Sequence, residues 1–179
     1  DQNKSALDSH RDSYDFLTEK LTKNHHDVGQ IIEKISAFQV AIPSWALGAG
    51  GTRFGRFSFY GEPSNLEQKI EDVGLLHSLT QTAGAVSLHI PWDIPSDYTA
   101  IKQIAGELNI KFDAVNSNTF QDQKEAKKSY KYGSLSNVDQ AVRDQAIQHN
   151  LDVIGIGDKL GSAVIPFSVP ATLKSISPR

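Results

Sequence analysis

Cysteine is absent from all 179 residues. Disulfides, thiolate metal sites and thiol nucleophiles are therefore excluded. Methionine is absent too, even at position 1, which leads us to expect a piece of something longer. No apolar run approaches the roughly 18–20 residues that a membrane-spanning helix needs. The polar start, Asp1 to His10, does not read as a signal peptide. Positive charge is scarce: the net charge is −3, and no basic run exceeds Lys127-Lys128. Such a chain lacks the field that would attract nucleic acid or an anionic membrane, and neither is expected as a partner.

What is present fits a soluble globular chain, with 39% hydrophobic and 22% charged residues, enough for one well-cored domain. Tyr14, Leu17 and Leu21, and then Val28, Ile31, Ile32, Ile35 and Phe38, recur at helical spacing. Asn24-His25-His26-Asp27 separates the two stripes, with Asp27 as N-cap of the second helix. Residues 1–39 thus form an N-terminal helical extension. Gln39 to Leu47 reads as a short strand entering a glycine- and aromatic-rich loop that runs to Pro63. Ser64-x-x-Glu67 has the form of a capping box for a helix with stripe Leu66, Ile70, Val73 and Leu76.

Ala85 to Ile90 reads as a buried strand stopped by Pro91. Tyr98, Ile101, Ile104 and Leu108 mark a further helix, and Phe112 to Val115 a further strand. A long helical stripe follows from Val138 to Leu160, closed by Gly161 as C-cap, and Ser162 to Phe167 is a candidate last strand. Strands alternating with helices imply parallel pairing through crossovers, in a doubly wound sheet or a (β/α) barrel. A closed barrel takes about 250 residues, so this chain holds about three βα units and a candidate fourth strand.

Ligands of both α/β architectures bind at the carboxyl ends of the strands. The segments there are Pro43-Ser44-Trp45, His89-Ile90-Pro91-Trp92-Asp93 and Asn116-Ser117-Asn118-Thr119-Phe120-Gln121-Asp122. Both tryptophans of the chain fall at these ends. An indole face suits the C–H side of a sugar ring, while imidazole, amide and carboxylate groups bond its hydroxyls. Trp45, His89, Trp92 and Asn118 are therefore candidate sugar contacts. The rival reading makes Trp45 and Trp92 core aromatics and His89 a satisfied buried histidine. The loop Gly48-Ala49-Gly50-Gly51-Thr52-Arg53 matches neither G-x-G-x-x-G nor a P-loop, so phosphate binding is not expected. His25-His26 is too small a cluster for a metal site.

The segments Ala41–Trp45, Gly50–Phe54, Ser87–Asp93, Phe112–Asp122, Ser129–Leu135 and His149–Ile154 together resemble the N-terminal half of the bacterial L-rhamnose isomerase family, in its broad-specificity branch. The resemblance spans roughly Phe38 to Gly161, and residues 40–161 read as the first part of the barrel domain. It implies an α/β fold, the first part of a (β/α)8 TIM barrel preceded by N-terminal helices, in a cytoplasmic homotetramer. It further implies aldose–ketose interconversion of L-rhamnose and L-rhamnulose, or related rare sugars, with manganese or another divalent metal. By the resemblance, Trp45, His89 and Trp92 match sugar-contacting positions. Phe54 matches a loop residue that approaches a neighbouring subunit's site.

The family's metal ligands belong to later strands, and none is expected in this chain; its catalytic residues stay unassigned. Asp93, Asp113 and Asp122 match no metal ligand of the family. After Asp158 acidic residues vanish and serine and proline rise, so residues 162–179 read as a divergent tail from truncation or frameshift, with a genuine short paralogue as the rival explanation. The expectation is a fragment of a metal-dependent isomerase that is inactive and poorly stable alone. The alternative is an inactive barrel fragment that binds sugar or docks on a full-length subunit.

Overall fold

A computed structural model describes residues 2–48, 51–52, 55–56, 60–122, 126–162 and 164–166. The chain divides into two units, Asp1–Phe38 and Gln39–Arg179. The first holds helix α1 (Gln2–Lys23) and helix α2 (Val28–Ser36). Asp27 caps α2, accepting the Gln30 N–H at 3.0 Å, as its place before the apolar stripe implies.

The second unit is built on three parallel strands: β1 (Ala41–Pro43), β4 (Ala85–Ile90) and β5 (Lys111–Ser117), in the order β1-β4-β5. The register pairs Pro43 with Ser87, and Ile90 with Ser117, so all three carboxyl ends lie on one side. A 3-10 turn (Ser44–Ala46) follows β1. Inside the glycine-rich loop, strands β2 (Gly51–Thr52) and β3 (Gly55–Arg56) pair antiparallel. Helix α3 (Leu66–Thr80) precedes β4, helix α4 (Tyr98–Glu107) joins β4 to β5, and helix α5 (Gln140–Leu160) follows β5. Val164 bridges Ala114 in parallel, and the Val115 N–H donates to Val164 O at 3.0 Å. Where a last strand was expected, the described residues thus show a single bridge beside β5; Ala163 and Phe167 lie outside the described residues.

One face of the sheet carries the core. Val86, Leu88 and Ile90 alternate along β4 as buried residues, following the period-two geometry of a strand. They pack with Ile70 and Val73 of α3, Ile101 and Ala105 of α4, and Val153, Ile156 and Leu160 of α5. Gly74 is where α3 meets the end of α4: a Cβ there would sit 2.9 Å from Leu108 Cδ1. Gly161 ends α5 at φ 77°, as expected of a left-handed C-cap.

Local boundaries depart from the sequence reading in three places. Asn65, not Ser64, is the N-cap of α3, accepting the Gln68 N–H at 2.9 Å, while Ser64 bonds the Gln68 side chain instead. Val138 is fully exposed and stands outside α5, because Asp139 caps that helix by accepting the Ala141 N–H. Asn116 and Ser117 belong to β5 rather than to the loop after it. The Asn116 amide donates to Leu88 O at 3.0 Å, and the Ser117 hydroxyl bonds Asn150 of α5 at 2.5 Å.

Among the described residues, no helix is long and apolar enough to cross a membrane.

Candidate functional site

Parallel pairing carries the ends of β1, β4 and β5 to one rim, and the rings gather there. His89, the penultimate residue of β4, lies on the strand face opposite the core. Its imidazole is edge-on to Trp45 (centroids 5.3 Å, planes at 64°) and to Trp92 (4.8 Å, 69°). It stacks on Phe120, at 5.8 Å and 27°. These are ordinary ranges for attractive aromatic pairs. Trp45 and Phe120 are each 44% exposed, so the cluster opens to solvent and is not part of the apolar core.

Each ring is presented by a local device. Trp45 rides on the 3-10 turn directly after β1. Trp92 sits in the turn closed by N–H groups of Trp92 and Asp93 donating to His89 O, at 3.0 and 3.1 Å, across the cis Ile90–Pro91 peptide. Phe120 is held by Asn118, whose side-chain oxygen accepts the N–H groups of Phe120 and Gln121 at 3.3 and 3.2 Å. Asn118 itself is fully buried, and its own N–H donates to Ile90 O. It builds the loop that carries Phe120 rather than standing open to solvent.

A charged network underlies the rings. Asp93 is 1% exposed, and its Oδ1 receives the Lys69 ammonium at 2.6 Å. Its Oδ2 accepts the His89 N–H at 2.8 Å and the Ser44 hydroxyl. Further along, Asp122 accepts the Ser129 hydroxyl and the Tyr130 N–H, both at 2.6 Å.

Of the residues singled out from sequence, Trp45, His89 and Trp92 come together, and Asn118 lies behind the adjoining loop. Phe54 lies outside the described residues. Phe120, Ser44, Asp93 and Lys69 were missed as parts of one site. A signal existed for Lys69: it falls inside the apolar stripe Leu66, Ile70 and Val73 of α3, where a lysine needs a buried partner. Among the described residues, no group of three or more histidine and acidic side chains is placed to hold a metal ion.

A cavity of about 850 Å³ opens at the opposite end of the sheet, lined by Ala41, Ala85, Lys111 and Gly161 among others. It contains none of the four rings. Amino ends of parallel strands are not where α/β folds place ligands, so the ring cluster is the better candidate.

The chain is also similar to known proteins. The chain is 46% identical over 164 residues to a protein of Rhizobium meliloti (strain 1021) described as a probable sugar isomerase. The matched stretch covers 92% of this chain and 38% of that one. A protein of Mesorhizobium japonicum with the same description is 48% identical over 152 residues, covering 85% of this chain and 35% of its own length. The chain thus spans little more than a third of the curated relatives it matches. No protein-family model matches it.

Proposed function

We propose that this chain carries the sugar-recognition end of a sugar isomerase of the L-rhamnose isomerase kind. Two observations support the reading: the open cluster of Trp45, His89, Trp92 and Phe120 at the carboxyl ends of parallel strands, and the similarity to probable sugar isomerases. The cluster carries the reading further. Two indoles set edgewise to one imidazole, with Phe120 stacked on it, offer flat apolar surface for the C–H side of a pyranose or open-chain sugar. The imidazole adds a polar group for its hydroxyls.

In this reading β1, β4 and β5 are the first strands of a (β/α)8 barrel whose remaining units complete the site. The complete protein is a cytoplasmic homotetramer interconverting L-rhamnose and L-rhamnulose or related rare sugars. A divalent cation such as manganese would supply polarisation of the sugar's carbonyl and hydroxyl oxygens. The described residues offer it no ligand set, so no step of the interconversion is assigned to them. Their part is to bind and orient the sugar and to cover its apolar face.

The test is a titration of the chain with L-rhamnose, read by fluorescence of its two tryptophans, both of which lie in the cluster. We expect saturable binding in the millimolar range, about 4 kcal/mol, weakened about tenfold by Trp92→Ala. L-rhamnulose should not accumulate with this chain alone, with or without manganese. Absence of any saturable response to L-rhamnose or L-rhamnulose would refute the reading.

A further inference from the structure

Asp93 is the point where three elements of the carboxyl rim meet. Its Oδ1 is held by Lys69, from near the start of α3. Its Oδ2 is held by the backbone N–H of His89 in β4 and by the Ser44 hydroxyl, at the start of the 3-10 turn. Three of the four positions touch the ring cluster through the chain, and Lys69 reaches it through Asp93. Ser44 precedes Trp45, Asp93 follows Trp92, and His89 is itself the central ring. Yet Ser44, Lys69 and Asp93 are buried, at 0%, 6% and 1% exposure, so none of their side chains can reach a sugar.

We infer that the Lys69–Asp93 ion pair is the positioning device of the sugar site. It fixes the mutual orientation of Trp45, His89 and Trp92, and through it the fit of the site to its sugar. This rests on the reading of the ring cluster as a sugar site.

The physical argument starts from what such a pair does well. Buried ion pairs contribute little net stability compared with apolar residues of the same volume. What a carboxylate adds is direction, because its lone pairs fix where each donor must lie. Lys69 anchors Oδ1 and thereby sets the rotation of the carboxylate. The carboxylate then sets the Ser44 hydroxyl and the His89 amide at Oδ2, and with them the entry of the chain into Trp45 and His89. Gly48 leaves room for this arrangement: a Cβ there would lie 3.3 Å from Lys69 Cε. Phe120, the fourth ring, hangs on an independent device, the Asn118 turn. Sites that must hold several groups in a fixed geometry depend on such supporting contacts.

Two variants and one recovery variant test the inference on the intact chain. Lys69→Met combined with Asp93→Asn removes both charges at similar volume, and Ser44→Ala removes one hydroxyl. The long-wavelength edge of the near-ultraviolet circular dichroism, where indole absorbs and tyrosine and phenylalanine do not, reads how the two indoles are held against their neighbours, and far-ultraviolet dichroism checks the fold. We expect both variants to keep the far-ultraviolet spectrum. The double variant should lose most of the tryptophan near-ultraviolet signal, with a red-shifted emission, and Ser44→Ala should lose part of it. Ser44→Thr, which restores a hydroxyl, should recover it. L-rhamnose affinity should fall about tenfold in the double variant. An unchanged near-ultraviolet spectrum in both folded variants would overturn the inference, whether or not the chain binds sugar. If the spectra change as expected but wild-type chain ignores L-rhamnose, the positioning role stands and the sugar reading fails.

Discussion

Asp93→Asn should be among the most damaging isosteric changes available in the sheet unit. The substitution keeps the shape of the side chain and removes its charge. Lys69 then holds an ammonium at 7% side-chain exposure with no carboxylate beside it. Breaking a buried pair from one side costs about 3–5 kcal/mol. The Ser44 hydroxyl and His89 N–H lose a charged acceptor for a neutral one, and such charge-assisted bonds are roughly twice as strong as neutral ones. Together these place the loss at about 4 kcal/mol, a large share of the roughly 5–15 kcal/mol that holds a typical domain. Lys69→Met should cost less, because the Asp93 carboxylate keeps two donors. The double variant should lie close to wild type, giving a coupling of about 2 kcal/mol or more. The assay is urea unfolding followed by tryptophan emission, which reports on the second unit alone because both tryptophans lie in it. A loss under about 1 kcal/mol for Asp93→Asn, or single effects that simply add, would refute the reasoning.

Two other substitutions probe the scaffold. Gly74→Val should cost about 1–3 kcal/mol in the same urea assay, since even a Cβ would press on Leu108 at 2.9 Å. An unchanged midpoint would show that α3 and α4 do not meet as closely as described. His149 of α5 has its pKa lowered by burial, with Asp152 acting weakly the other way. Its folded-state value therefore lies below the ordinary 6.5, and acid protonates the unfolded chain first. The contribution is intact above 6.5 and is lost as the pH falls through the folded value. His149→Gln should flatten the decline of stability over that window, and equal slopes in the two proteins would contradict it.

Much of the scaffold was legible because it follows from short-range rules. Alternation along Ala85–Ile90 and the stripe spacing of α3, α4 and α5 located the parallel strands and their helices, and Asp27 and Gly161 marked real helix ends. Boundaries failed where two neighbouring residues compete for one cap. Ser64 and Asn65 both fit, and the amide of Asn65 reaches the Gln68 N–H while the Ser64 side chain engages that of Gln68. β5 was drawn too short because Asn116 and Ser117 are polar, yet their side chains are satisfied by Leu88 O and Asn150. At the site, Trp45 and Trp92 were singled out because they stand right after strands, and His89 because it stands near the end of one. The network beneath them joins positions 44, 69, 89 and 93, and such long-range pairing leaves only a faint trace in one sequence. The lysine on the apolar stripe of α3 was that trace.

The most direct test of the central claim is a nitrogen–proton NMR spectrum of the labelled chain during addition of L-rhamnose. With two tryptophans, it has two indole N–H signals, from Trp45 and Trp92, assignable with Trp45→Phe and Trp92→Phe. The account predicts that both indole signals shift along one saturating curve, together with the backbone amides of His89 and Phe120. Signals from the amino-end cavity, such as Lys111 and Gly161, should stay in place. Shifts confined to that cavity, or indole signals that stay still while others saturate, would contradict the assignment of the ring cluster as the sugar site.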